Sequence, residues 1–379
     1  MGGLIFSYAL GYLSMAVFPL WIGGVASHYG LSLGTAGLIS SAEIGAVALT
    51  AFLLPAIMQQ VNLRRLSLLS NLGLVVLNVI SIHPGSIYAL LLCRVLVGVC
   101  DGAILAIATA LAGRTDDPHK AFATLQVAQV ISAMLFYAVS AELVTHFGAV
   151  GVFVYYAAFS AFCFVPLWRL PERLAPAGAL GSSREETPIV PLWYLVPALG
   201  GLVVLATAFN GTMASMVPIG IRAGLSVSTI SLVLSVSGLM GLAGTFVSGR
   251  LGSQWGAITP LVAAIVLLDA AALVLGRSLK LSGFIVGANL LICGQFFVVP
   301  YLLGDLARRD ASGSSVARGQ ASIAIGSTAG PAAGGFLLGM YGVRGMTMIA
   351  AIVFAIAVAP FILTTTRGFR RVSSGASVP

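Results

Sequence analysis

Gly30-Leu31-Ser32-Leu33 returns 194 residues later as Gly224-Leu225-Ser226-Val227. Carried outward without a gap, the same offset sets Thr35 on Thr229, Ser41 on Ser235, Gln60 on Gln254 and Arg114 on Arg308. It also sets Asp116 on Asp310, Gln126 on Gln320 and Gly148 on Gly342. One such match is chance. A series of them at one offset, at turns and polar positions, marks an internal duplication. The two copies share one orientation if each crosses a membrane six times, because an even number of crossings returns the chain to its starting side.

Composition demands a membrane. Of the residues, 59% are hydrophobic and 8% charged, and the mean hydropathy is +1.04. A soluble domain carries about 25% charged residues, and this chain lacks the polar side chains to cover a water-facing surface. Lipid must cover it instead. The apolar runs are long and do not alternate in polarity, which predicts helices over a β-barrel.

The predicted spans are Leu4–Ala26, Thr35–Met58, Leu66–Ile82, Ser86–Ala110, Ala121–Thr145 and Val150–Leu167, then Val190–Met213, Thr229–Ser248, Ile258–Leu275, Leu281–Gly304, Ser315–Met340 and Gly345–Leu363. Most exceed the roughly 17 residues needed to cross the hydrocarbon. The expected fold is an all-α integral membrane protein, twelve transmembrane helices in two six-helix bundles, with both termini cytoplasmic. The bundles are residues 1–168 and 190–366. Between them lies a polar linker, 169–189, rich in Pro, Gly and Ser, and residues 367–379 form a tail. With the N-terminus inside, fourteen of the nineteen basic residues fall in cytoplasmic segments, four outside (Arg222, Arg277, Lys280 and Arg344), and Arg94 within a span. That bias follows the positive-inside rule and accounts for the net charge of +8 without nucleic acid. The start, Met1-Gly2-Gly3-Leu4, has no basic region and reads as the entry to the first span. Cys93, Cys100, Cys163 and Cys293 lie in apolar spans without metal-ligand spacing and read as packing residues.

Between the eighth and ninth spans stands Gly249-Arg250-Leu251-Gly252-Ser253-Gln254-Trp255-Gly256; at the same offset in the first half stands Pro55-Ala56-Ile57-Met58-Gln59-Gln60-Val61-Asn62-Leu63-Arg64. With two six-span halves, these segments resemble the G-x-x-x-D-R-x-G-R-R signature of the major facilitator superfamily and its weaker second copy. Asn62 stands for a glycine of the signature, and Asn tolerates the left-handed turn the glycine would supply. Gln59, and Ser253 with Gln254, stand where the family has charges. The resemblance therefore implies a conformational latch that is weak or made of neutral hydrogen bonds. In the fourth span, Leu90-x-x-x-Arg94-x-x-x-Gly98 is similar to the family's arginine motif, associated with proton coupling. In the eleventh, Gly326, Gly330, Pro331, Gly334 and Gly335 resemble the Gly-Pro motif that antiporters of the family carry in their fifth helix, a motif this chain's fifth span lacks.

Charges within spans are the candidates for mechanism, because a charge at the bilayer centre costs at least about 2.5 kcal/mol on insertion scales. Arg94 and Asp101 are seven residues apart and share a helix face, but about 10 Å separates them along the axis, too far for a tight pair without another group between them. Gly98 and Gly102 leave room beside that face. Glu43 lies at the depth of Arg94, which allows a pair, and a carboxylic acid there could carry a proton or serve as a static partner. Asp269, on the peripheral ninth span, reads as a packing or helix contact. Tyr8, Tyr12, Asn210, Asn289 and Gln295 are uncharged polar residues on spans that line the cavity in the resembled family. Gln295 is the repeat counterpart of Asp101. His28, His83 and His146 fall at outer loops and His119 at a cytoplasmic one.

No metal cluster, nucleophilic triad or nucleotide loop is legible, so no cofactor and no enzymatic activity are expected. The reading is a monomeric secondary active transporter of a small amphipathic organic compound. It would work by alternating access, coupled to protons, in the efflux direction, in a bacterial cytoplasmic membrane. Two alternatives stay open: uptake of an organic anion, which Arg94 would favour if it reached the cavity, and a non-transporting sensor that keeps the fold.

Overall fold

The computed structural model describes residues 2–112, 115, 118–173, 191–251, 259–309 and 314–373, and these contain helices and no strand. In lipid a backbone amide must find its partner within its own segment, which a helix does residue by residue. Twelve helical paths result. In the first half they are α1 (Gly2–Gly11 and Leu13–Tyr29), α2 (Leu33–Leu53), α3 (Leu63–Ile80), α4 (Ile87–Ala112), α5 (Pro118–Phe147) and α6 (Gly151–Trp168). In the second they are α7 (Leu192–Ala214 and Met216–Arg222), α8 (Val227–Leu251), α9 (Thr259–Arg277) and α10 (Leu281–Arg309). The last path, Ser314–Ser373, is broken at Gly342, whose φ of 65° and ψ of −176° leave helical space. Its parts, 314–341 and 343–373, are α11 and α12. Pro218 explains the break in α7: its ring lacks an N–H and crowds the carbonyl four residues back, at Ala214.

The 194-residue duplication is visible in local structure. Gly30 and Gly224 both turn the chain with positive φ, 61° and 77°, and so do Gly148 and Gly342, at 62° and 65°. Ser32 Oγ caps α2 by accepting from the Thr35 amide at 3.1 Å, and Ser226 Oγ caps α8 by accepting from the Thr229 amide at 3.1 Å. Packing repeats as well. Helix α2 lies on α4 as α8 lies on α10, and α3 lies on α4 as α9 lies on α10. The two six-helix bundles, α1–α6 and α7–α12, are thus two versions of one arrangement.

The bundles meet through α2 against α11 and α5 against α8, again a repeat-related pair. The named contacts cluster at one end of the molecule, where α2 and α8 begin. Gly34 lies on the Phe336 ring, and Gly37 and Gly335 bring α2 and α11 so close that a Cβ on either would strike a backbone carbonyl, of Pro331 or Leu33. Ser41 Oγ accepts from the Ala332 amide at 3.2 Å, and its counterpart Ser235 donates to the Met134 carbonyl at 2.7 Å. Toward the other end, the paired residues Gln126 of α5 and Gln320 of α11 are exposed.

Close approach also organises the first bundle. A Cβ on Gly98 would strike the Glu43 carbonyl, and one on Gly102 the Val47 carbonyl. Small residues at these two turns let α4 touch α2 backbone to backbone. That contact carries Arg94, one turn before Gly98, and Asp101, one residue before Gly102, up against Glu43.

Candidate functional site

The first bundle encloses a cluster of charged and hydroxyl side chains contributed by five helices. Arg94 and Glu43 are 0% and 1% exposed, and Arg94 Nη1 stands 3.5 Å from Glu43 Oε1. Arg94 Nη2 donates to Asn78 Oδ1 at 3.0 Å and to Ser81 Oγ at 2.7 Å, both brought by the last turn of α3. The guanidinium lies 4.6 Å above the Phe153 ring of α6, close enough for a cation–π contact. From the other side, Ser14 of α1 donates to Glu43 Oε1 at 2.8 Å and touches Asp101 Oδ2. Tyr156 of α6 donates to the same Asp101 oxygen and lies 3.2 Å from Ser14 Oγ. Glu43 and Ser14 are the groups that stand between Arg94 and Asp101. The chain of contacts runs Arg94, Glu43, Ser14, Asp101, Tyr156.

A separate cavity of about 250 Å³ lies between the bundles. Helices α1 and α5 wall it on one side and α7, α8, α10 and α11 on the other. Its wall is largely apolar, with Phe18, Phe209, Phe296 and three methionines, Met15, Met134 and Met213. Tyr12, Gln126, Gln129, Ser132, Tyr137, Asn210, Gln295 and Ser327 supply the polar side chains. No charged side chain lines it among the described residues. The Oε1 of Gln295 and the Oγ of Ser132 are buried with no hydrogen-bond partner among the described residues. Asn210, by contrast, donates to the Ala206 carbonyl at 2.9 Å and to Ser327 Oγ at 3.1 Å.

The sequence candidates therefore divide. Tyr12, Asn210 and Gln295 line the cavity. Tyr8 is buried just behind it, its ring 4.8 Å from that of Tyr12. Asn289 lies away from the wall and donates to the Ile285 carbonyl of its own helix at 2.7 Å. Arg94, Asp101 and Glu43 do not reach the cavity, which lies on the far side of α1 from them. Asp269 is half-buried on α9, with Oδ1 lacking a partner among the described residues. His28 and His83 are exposed and line another cavity, of about 780 Å³, whose wall also includes the buried Ser81 and Phe153.

One expectation about the signature loop needs correction. Asn62 does not adopt a left-handed turn: with φ −79° and ψ 108° it is the N-cap of α3, accepting from the Arg65 amide at 3.0 Å. A short side-chain carbonyl suits that position, which a glycine could not cap. The loop also carries one exposed ion pair, of the weak kind. Arg64 pairs with Glu172 at 3.0 Å and donates through Nε to the Leu170 carbonyl at 2.7 Å, tying the loop to the end of α6. Gln59 and Gln60 are exposed. In the second copy Gly249 lies within α8, while Ser253, Gln254 and Gly256 lie outside the described residues. The Gly-Pro motif is a packing seam. Gly326, Gly330 and Gly334 face α7, where Cβ atoms would meet Val203, Asn210 and Gly211, while Pro331 and Gly335 face α2.

Ser14, Asn78, Ser81 and Tyr156 are the cluster members that sequence reasoning missed. Each is a common residue in an apolar helix, and only the depth of Ser14 relative to Glu43 could have drawn notice. Asp305, on α10, was also overlooked; it accepts from Tyr194 Oη at 2.5 Å across α7 and α10.

With the geometry established, similarity to known proteins can be judged. The fold superposes with a TM-score of 0.73 on a bacterial homologue of the human lysosomal transporter Spinster, inward-facing and unoccupied. Identity is 15%, and 96% of each chain is covered. The nucleoside transporter NupG aligns at 12% identity and TM-score 0.73, over 97% of this chain and 99% of its own. The POT-family transporter PepTSo aligns at 14% and 0.72, over 97% and 98%. A comparison with curated proteins gives no match. At such identities these likenesses establish the fold alone. The sequence model of the Major Facilitator Superfamily matches residues 4–303. The match spans most of both bundles, and the chain belongs to the Major Facilitator Superfamily.

Proposed function

We propose that this protein is a secondary active transporter that moves a small amphipathic organic compound by alternating access, coupled to protons. The carrying observation is the uncharged, largely apolar cavity between two bundles whose named contacts cluster at one end. Its aromatic and methionine wall suits an apolar body, and the unpartnered Gln295 Oε1 suits a hydrogen-bond donor on the substrate. Arg94 is not in that wall, so the organic-anion reading loses the residue that favoured it.

The basic residues put both termini in the cytoplasm, and the cavity then opens toward the cytoplasmic side. Efflux is the direction we favour, because amphipathic compounds cross lipid inward unaided and need a pump to leave. Proton coupling rests on the buried acids of the first bundle, one helix behind the cavity. The test is purified protein in liposomes with an imposed pH gradient and a panel of fluorescent amphipathic compounds. Flux that follows the gradient and collapses with a protonophore is expected. No flux across the panel, with folded protein, would refute the reading and favour a sensor.

A further inference from the structure

Ser14 faces more acceptors than its single proton can serve. Its Oγ lies within hydrogen-bond distance of Glu43 Oε1, Tyr156 Oη and Asp101 Oδ2. Each short oxygen–oxygen contact needs a proton between the two atoms, and a serine hydroxyl brings one. The Tyr156 proton is directed at Asp101 Oδ2. With both acids ionised, Ser14 could donate to one of them. Its other carboxylate contact would then set lone pair against lone pair inside a fully buried cluster. A proton on a carboxyl oxygen removes the conflict, because the acid then donates to Ser14 while Ser14 donates onward.

Charge gives the same answer from independent groups. Two carboxyls face one cation, Arg94. The remaining neighbours are neutral: Asn78 and Ser81 from α3, Cys100 beside Asp101 on α4, Tyr156 and Phe153 from α6. From α5 comes Tyr137, whose Oη is donated to the Ala16 carbonyl at 2.7 Å. Helix α11, packed on α2, brings Gly326 to Gly335 to that depth, with no charged residue among them. One bound proton makes the cluster neutral in a place where net charge is costly. Glu43 is the acid paired with Arg94, and no ion pair joins Asp101 to Arg94 among the described residues.

We propose that Asp101 holds a proton at neutral pH and donates it to Ser14, which donates in turn to an ionised Glu43. The proposal deepens the transport reading by naming where the proton sits. Leu13 and Met15, on either side of Ser14, line the cavity, as does Tyr12 at the break in α1. A shift of α1 on filling the cavity moves Ser14 off one carboxyl and frees the proton.

The test is infrared spectroscopy of the full-length protein at neutral pH, in an Asp269→Asn, Asp305→Asn background that removes the other two aspartates of the described spanning helices. The carbonyl stretch of a protonated carboxylic acid is expected there, absent altogether after Asp101→Asn, and shifted in frequency by Ser14→Ala. No such band in the starting protein, or a band unchanged by Asp101→Asn, overturns the proposal. If Asp101→Asn does not fold, carbon-13 labelling of aspartate carboxyls in the Asp269→Asn, Asp305→Asn protein decides. The band must move with the label, and a band that does not move overturns the assignment. The measurement involves no transport, so it can fail while the transport reading stands, and the reverse.

Discussion

Replacing Arg94 with methionine isolates the energetics of the buried cluster. Methionine has comparable length and can lie on the Phe153 ring, so the packing lost is small. What remains is Glu43, 1% exposed, with the one cation paired to it among the described residues removed. Breaking a buried ion pair from one side costs about 3–5 kcal/mol, because the surviving charge is stranded. The hydrogen bonds to Asn78 and Ser81 are lost with it, at about 0.6 kcal/mol each on the average measured between membrane helices. The destabilisation expected for Arg94→Met is therefore about 3–5 kcal/mol, with the two hydrogen bonds inside that range. Adding Glu43→Leu removes the stranded charge, and the double variant is expected to recover most of the loss. Acidification should narrow the deficit of the single variant, since a protonated Glu43 needs no cation. The assay is reversible unfolding of purified protein in mixed micelles for the four members of the cycle. A loss below about 1 kcal/mol for Arg94→Met, the scale of an exposed pair, would refute the reasoning, as would a double variant no more stable than the single.

Other outcomes follow from the same geometry. Gly334→Val sets a side chain against the backbone of Gly211 and is expected to cost about 1–3 kcal/mol or more by overpacking, while Gly339→Ala, with open space around it, is expected to be neutral; thermal unfolding compares them. Ser41→Ala and Ser235→Ala each remove one hydrogen bond between the bundles, so the double variant should raise the labelling rate of a cysteine placed at Thr328, which faces Gly45 across the α2–α11 contact, without lowering the melting temperature by much. Gln295→Leu is expected to weaken ligand-induced thermal stabilisation for compounds with a hydrogen-bond donor and to spare those without one. Glu172→Gln, at a half-exposed pair, should change stability by under about 1 kcal/mol.

The two-fold plan of this protein was present in its sequence. Apolar run length fixes helices because lipid offers the backbone no other partner, and residues at a constant offset report duplication because the same turn needs the same glycine or capping serine twice. Gly30 with Gly224, and Ser32 with Ser226, do the same work in both halves for that reason. Helical spacing likewise brought Arg94 and Asp101 onto one face, and depth brought Glu43 level with Arg94. What spacing could not say is which way that face points. Tertiary packing decided it: Gly98 and Gly102 press α4 against α2, turning Arg94 inward to Asn78 and Ser81 and Asp101 inward to Ser14 and Tyr156, both away from the cavity. The same holds for Asn62, whose residue type suited either a left-handed turn or a cap until Leu63 to Ile80 formed a helix behind it. Local sequence sets which conformations are cheap and where a charge is buried. Only the contacts between helices distant in the chain set whether that charge meets a partner, a substrate or a proton.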